Sequence, residues 1–399
     1  MVAVAAGRRP PSFSSKFSTV RVRCPDQKRS VNDFVEFLVR LGKRITPRPT
    51  LEFCSDYDTV VVSSNADKLG PVYDCPYLSS ETLVLFIDKW RMLNAAIDAR
   101  FDVPELHLVK TRDDLDGASG CALPAIVKPL GRFKWDGTQV KNRGLFIRVF
   151  NRKAVRAGTR DELIACLETV LEHGLTVLVQ EEVPGPSDAL YLLCLYADRR
   201  SNVLAEFHGK KIRQMPSDFG SGTLTAPAPP NPYLSEIART FVKETEFHGI
   251  AVFEWKLDPR DGHYKFMEVN PRCWTWTILS DAVGVNLPYV QYLEMTGQEI
   301  PLLVQQERDV KCVDLVLDWT YFWNYRKGDH TGRTLSLGEW VRSLRGEREF
   351  AYFSRGDRVP GLVNLCSVLG ELAGRAFRKL GRTVRRSTAQ QAAFTRDEV

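Results

Sequence analysis

Three oxygen-bearing side chains, Glu254, Glu268 and Asn270, followed at once by Arg272, have the types and the spacing to do chemistry. They fall in GIAVFEWKLDPRDGHYKFMEVNPR, where two segments of alternating polarity flank the turn signal DPRDG. That pattern predicts an antiparallel strand pair. Glu254 lies on the first strand, while Glu268 and Asn270, two apart on the second, project from one face. Three oxygen groups on adjacent strands suit a hard divalent cation such as Mg²⁺ that also bridges nucleotide phosphates. Arg272 follows closely enough to hold an anion beside that cation. The plainer alternative is an exposed hairpin with surface carboxylates, and Pro271, which ends the strand just past the oxygens, weighs against it.

Other cations stand upstream. The apolar run Ala125 to Lys128 stops at Pro129, and a lysine ending a buried strand needs a charged partner, for which a phosphate serves well. Lys89 occurs in FIDKWRMLNAAIDARFDVPE, which Ile87, Trp90, Leu93 and Ile97 mark as one helix; a solvated helix lysine is the alternative there. Lys210, Lys211 and Arg213 precede the glycine-containing FGSG. By the period-two rule Lys211 and Arg213 share a face and can place two cations beside a triphosphate or a substrate carboxylate. A charged, aggregation-protected edge strand is the competing explanation.

Together these parts resemble the ATP-grasp superfamily, whose members couple a carboxylate to an amine or thiol through an acyl-phosphate. The resemblance is carried by Glu254, by Glu268-Val269-Asn270-Pro271-Arg272, and by TILSDAVGVNLPYVQYLEMTG from Thr277 to Gly297. It is closest in form to carbamoyl-phosphate-synthase-like and amino-acid ligase members. It implies that Glu254, Glu268 and Asn270 coordinate Mg²⁺ (or Mn²⁺) and that Arg272 contacts the transferred phosphoryl group or the acyl-phosphate. Lys128 matches the phosphate-binding lysine of the lid, and Asp88-Lys89 the helix-start pair whose lysine also reaches the phosphates. In TVLVQEEVPGPSD, the implied adenine hinge comprises Glu181, Glu182 and Val183, with Asp188 toward the ribose.

The fold implied is α/β (α+β), with two α+β subdomains clasping ATP behind an abbreviated Rossmann-like domain. Its expected boundaries are 1–112 for the shortened first domain, 113–305 for the ATP-grasp domain (lid 113–186, metal-binding part 187–305) and 306–399 for a C-terminal extension. The function implied is an ATP-dependent ligase joining a small carboxylate, such as an amino acid, to an amine. Two alternatives stay open: a non-catalytic nucleotide-binding regulator, and a carbamoyl-phosphate-synthase-like or carboxylase activity, which the absence of a biotinyl or glutaminase segment disfavours. Two features depart from the pattern. The lid segment GRFKWDGTQVKNRG is basic rather than glycine-rich, offering Lys134, Lys141 and Arg143 for phosphate by charge alone, and with only about 110 residues before the lid the N-terminal domain is expected to lack its usual first strand and helix.

The elements that must position these groups are read more coarsely. VAVAAG and TVRVRC predict two short strands around a basic loop, with an N-terminal transit segment as the alternative. NDFVEFLVRLGKR predicts a helix and YDTVVVS a strand; near the end, VDLVLDWTYFWNY reads as strand-like and LSLGEWVRSLRG as a helix. Leu362, Leu365, Leu369, Leu372, Ala376 and Leu380 recur at helical spacing, with Arg375, Arg378, Lys379, Arg382, Arg385 and Arg386 crowding the end. That basic helix either touches an anionic membrane or a partner protein, or it is a capping helix whose cations complement its dipole.

A chain of 399 residues, 44% hydrophobic and 26% charged, is of ordinary globular composition. Its length predicts about two or three domains. No apolar run approaches the ~18 residues of a membrane span. A net charge of +6 suits anionic ligands such as ATP, and there is no basic-aromatic interleaving of the kind that binds nucleic acid. Nine cysteines without a C-x-x-C predict neither a zinc site nor a disulfide framework, and hence a reducing, cytoplasmic setting.

Overall fold

The computed structural model describes residues 1–6, 10–131, 141–329, 331–354, 356–368 and 370. Lys134, the side chain of Lys141, and the basic run from Arg375 to Arg386 lie outside the described residues. The chain divides into two compact units, one combining Met1–Cys24 with the described residues from Tyr352 on, the other Pro25–Ala351. In the first, β1 (Val2–Ala5) and β2 (Val20–Arg23) pair in parallel, and the Asp357 carboxylate accepts from Ser15 Oγ (2.5 Å) and from the backbone N–H of Lys16 (3.1 Å). The expected boundary at 112 therefore does not coincide with this division, since residues 1–24 group with the later segment.

The second unit contains two sheets. Strands β3 (Leu106–Val109), β4 (Ala125–Pro129), β5 (Val155–Ala157) and β6 (Val177–Glu181) form an antiparallel sheet in the order β3-β6-β4-β5. Strands β7 (Leu190–Ala197), β8 (Val203–Met215), β9 (Ser221–Pro227), β10 (Gly249–Leu257), β11 (Tyr264–Asn270), β12 (Val310–Val313) and β13 (Glu347–Phe350) form the other, in the order β11-β10-β7-β8-β9-β12-β13. Because β12 and β13 belong to the larger sheet, the expected boundary at 306 runs through continuous structure.

The alternation of β10 sorts its side chains between two environments. Ala251, Phe253 and Trp255 enter a core with Phe101, Phe241 and Phe266, where the Phe253 and Trp255 rings stack 5.6 Å apart. Ile250 and Val252 pack on the other face against Trp276 and Leu279. Glu254 shares that second face. On β11 the same sorting needs an irregularity: Glu254 pairs with Glu268, but Trp255 pairs with Phe266, so one residue is bulged out between them. Without the bulge Glu268 would share a face with Phe266 and enter the aromatic core.

Three elements differ from the sequence reading. The segment around Tyr57–Ser63 is a helix, Asp56–Ser63, capped by Ser55 Oγ, which accepts from Asp58 N–H at 3.1 Å. Its β-branched run is buried all round, and an apolar run that short carries no period to separate strand from helix. VDLVLDWTYFWNY gives only its first residue, Val313, to strand β12; Asp314 then caps a helix, Leu315–Tyr325. The single helix expected through Lys89 is two, Ser80–Ile87 and Lys89–Asp98, broken at Asp88, whose carboxylate accepts from the N–H groups of Trp90 and Arg91. Among the described residues no helix is long and apolar enough to cross a membrane.

Candidate functional site

The carboxylates of Glu254 and Glu268 stand directly opposite one another across β10 and β11. Like charges in that position repel and require compensation. Two lysines supply it: Lys89 Nζ lies 2.5 Å from Glu268 Oε2, and Lys211 Nζ 2.8 Å from Glu254 Oε2. Lys89 reaches in because the break at Asp88 makes it the first residue of its helix. Asn270 Nδ2 donates to Glu268 Oε1 at 3.2 Å, which leaves its carbonyl oxygen on the same face as the carboxylates. Burial pushes Glu268 up, but the ammonium of Lys89, helped by Lys211 and Asn270, holds it well below the usual carboxylate range. It is a permanent anion at neutral pH.

Two cavities share this group. One, of about 340 Å³, is lined by Lys89, Lys211, Glu254, Glu268, Asn270 and Arg272 and walled by Trp274, Trp276 and Phe219. The other, of about 240 Å³, is lined by Lys128, Gln180, Glu181, Glu182 and Val183 as well as by Lys89, Glu254 and Glu268. Lys128 donates to Gln180 Oε1 at 2.9 Å, and burial, with Lys89 nearby, pushes its pKa down to about 8. Gln180 Nε2 is buried without a hydrogen-bond partner among the described residues, an open donor beside Lys128 in the wall of a cavity that mixes basic and acidic side chains. Lys128, Lys89 and that open donor are groups that suit phosphate oxygens.

The hinge side chains are already engaged. Glu181 Oε1 lies 2.5 Å from Arg260 Nη1, and Glu182 Oε2 accepts from Arg156 Nε at 2.6 Å. The carbonyl of Val183 accepts from Lys256 Nζ at 2.8 Å. The N–H groups of Glu181 and Glu182 are engaged as well, donating to the carbonyls of Glu105 and Pro124 at 2.9 and 2.8 Å. Asp188 lies 3.7 Å from Arg333 and lines neither cavity. Arg143, from the basic lid segment, lines both.

Arg213 is placed elsewhere. The register moves from Lys211 opposite Thr225 to Arg213 opposite Leu224, a single step on β9 for two on β8. A bulge at Ile212 thus sends Arg213 to the face opposite Lys211 and voids the period-two expectation. The guanidinium forms a two-pronged pair with Asp318, Nε to Oδ1 at 2.9 Å and Nη2 to Oδ2 at 2.7 Å, and Thr223 and Trp340 donate to the same carboxylate. Arg213 holds the helix Leu315–Tyr325 to the sheet.

No protein-family model matches the chain. It is 24% identical over 296 residues to the D-aspartate ligase of Enterococcus faecium (strain Aus0004), a match covering 71% of this chain and 68% of that enzyme. Among solved structures it is similar to N5-carboxyaminoimidazole ribonucleotide synthetase from Thermus thermophilus, with a TM-score of 0.55 and 16% identity over 77% of this chain and 74% of that one. The biotin carboxylase domain of Hydrogenobacter thermophilus 2-oxoglutarate carboxylase, solved with MgADP and bicarbonate, matches with a TM-score of 0.54 and 13% identity over 76% of this chain and 71% of that one. The chain has the ATP-grasp fold.

Two residues beside these cavities were missed in the sequence. Asp56, at the start of its helix, pairs with the Arg272 guanidinium from more than two hundred positions away in sequence. Gly222 is required by close packing rather than by flexibility, since a Cβ there would sit 2.8 Å from Thr225 Cγ2 and 3.3 Å from Trp276 Nε1. The FGSG segment hints at the glycine, but nothing near Asp56 announces it.

Proposed function

We propose that this ATP-grasp protein is an ADP-forming ligase that joins a small carboxylate to an amine through an acyl-phosphate. The observation that carries the reading is the facing pair Glu254 and Glu268, each with its own lysine, at the junction of the cavity of Lys128 and a second cavity bearing Arg272. Likeness to a D-aspartate ligase supports the same chemistry. ATP occupies the cavity of Lys128, its base against the backbone of Glu181 to Val183, its phosphates toward Lys128 and Lys89. The donor set of two carboxylates and the Asn270 carbonyl fits Mg²⁺ or Mn²⁺; Glu254, Glu268 and Asn270 would hold the ion, which would supply charge neutralisation during transfer.

In the first step an oxygen of the substrate carboxylate bonds to the γ-phosphorus as the bridge to the β-phosphate breaks, releasing ADP. The amine then attacks the acyl carbon, inorganic phosphate leaves, and the amine gives up a proton. No side-chain nucleophile is needed, because the protein's contribution is positioning and charge compensation. Lys211 keeps Glu254 in place, and Arg272 faces the acyl-phosphate. We assign the reaction to the cytoplasm, where ATP is supplied; the small carboxylate and amine are its partners, and no nucleic acid takes part.

Asp56 fixes the Arg272 guanidinium before any ligand arrives. A residue that stabilises charge developing in the transition state costs turnover far more than ground-state binding when removed. Arg272→Ala is expected to lower turnover about a hundredfold or more, the order lost with one such donor, with ATP affinity nearly unchanged. Normal turnover in the folded variant would make Arg272 a structural partner of Asp56.

Lys128 gives a pH signature. Its ammonium is complete below about pH 7 and is lost as pH rises through about 8, so ATP affinity should weaken between pH 7 and 9. Lys128→Arg, always charged, should bind ATP with a flat profile over that range. In the unfolded chain a lysine titrates at about 10.4, so between the two values the folded state holds fewer protons, and this group makes stability rise with pH. Calorimetric titration of ATP at three pH values checks the first expectation, and a wild-type profile as flat as the variant's would contradict it.

A further inference from the structure

A third cavity, of about 710 Å³, shares no lining residue with the two that form the ATP-grasp site. Its wall comes from three places: the loops carrying Arg48 and Asp74, the turn Arg199–Arg200 between β7 and β8, and the end of the helix Pro232–Glu244 with Lys243. Cations outnumber the carboxylates. Asp74 Oδ1 is shared between Arg48 at 3.1 Å and Arg199 at 3.7 Å. Among the described residues neither Arg200 nor Lys243 has a carboxylate partner, Lys243 Nζ resting instead on the carbonyl of Arg200 (2.6 Å) and on Asn202 Oδ1 (3.3 Å). A concave wall with unneutralised guanidinium and ammonium groups concentrates anions, and guanidinium matches phosphate oxygens in pairs.

The same cavity is lined by Ser79, which caps the helix Ser80–Ile87 by accepting from Thr82 N–H at 3.1 Å. The N-terminal end of that helix adds positive potential. Its other end is Asp88, the cap from which Lys89 reaches Glu268. One rigid helix therefore joins this cavity to the lysine of the ATP cleft.

We infer that the cavity of Arg48, Arg199, Arg200 and Lys243 is a second anion site, taking a soluble phosphorylated ligand, and that it is coupled to the ATP cleft through the helix Ser80–Ile87. Pyrophosphate is the probe. The protein, saturated with ADP to fill the cleft, is titrated with pyrophosphate in a calorimeter. One further site is expected in the wild type, weakened at least about tenfold in the double variant Arg199→Gln, Arg200→Gln, where exposed side chains are shortened without disturbing the core. Coupling is reciprocal, so saturating pyrophosphate should shift ADP affinity about fivefold or more in the wild type and leave the double variant unmoved. Absence of binding to the ADP-saturated protein, or equal binding by the double variant, overturns the site. Unchanged ADP affinity despite pyrophosphate binding overturns the coupling. Sedimentation with phosphatidylglycerol vesicles that requires the same two arginines, without pyrophosphate binding, replaces the soluble ligand by a lipid headgroup.

Discussion

Glu268→Gln is expected to lower ADP formation by at least about a hundredfold at saturating Mg²⁺ while leaving the protein folded. Glutamine keeps the volume and an oxygen but removes the charge, and charge is what the site requires of this position. Three features point to the size of the effect: the carboxylate faces Glu254 across the strands, it is held ionised by Lys89, and it stands where the two cavities meet. Stability should change little, because Lys89 is partly exposed and can be solvated when its partner is neutral. Asn270→Ala should follow the same direction. A coupled assay for ADP checks both variants, with far-UV circular dichroism as the folding control, and near wild-type turnover would remove these residues from the reaction.

The largest expected effect on stability lies away from the cleft. Asp318→Ala strands Arg213 in a site where the arginine and aspartate side chains are 7% and 0% exposed, and it leaves Thr223 and Trp340 without their acceptor. Removing one partner of a buried pair costs about 3–5 kcal/mol, most of it from the uncompensated charge. The urea midpoint should fall accordingly, and the double variant Arg213→Met, Asp318→Leu should recover most of the loss because it leaves no lone charge. ATP affinity of the folded Asp318→Ala protein should match wild type. A small shift in midpoint with a large loss of ATP binding would return Arg213 to the site.

That outcome also marks where sequence reading reached its limit. The alternating segments around DPRDG, closed by Pro271, made the strand pair and the shared face of Glu268 and Asn270 legible, since period two needs only a strand and its direction. Two bulges were not legible. The one on β11 keeps Glu268 out of the core without moving it from the face of Asn270, so the reading survived it; the one at Ile212 reverses Arg213 and voided the reading there. Bulges depend on which partner strand is present, and a single sequence does not contain that information. The same holds for Asp56, whose value to Arg272 arises only when two distant segments meet. The run Thr59 to Val62 was ambiguous for a different reason: residues buried on every side carry no hydrophobic period.

The central claim is that a carboxylate oxygen attacks the γ-phosphorus of ATP, and oxygen transfer tests it most directly. Amino acids and small acids are first screened with amines for ADP release, and the active carboxylate is then supplied with ¹⁸O in its carboxyl group. The account predicts that inorganic phosphate formed in the reaction carries one labelled oxygen and that ADP appears only when the carboxylate is present. Unlabelled phosphate released alongside the ligated product, or ADP release that no carboxylate stimulates, would contradict it.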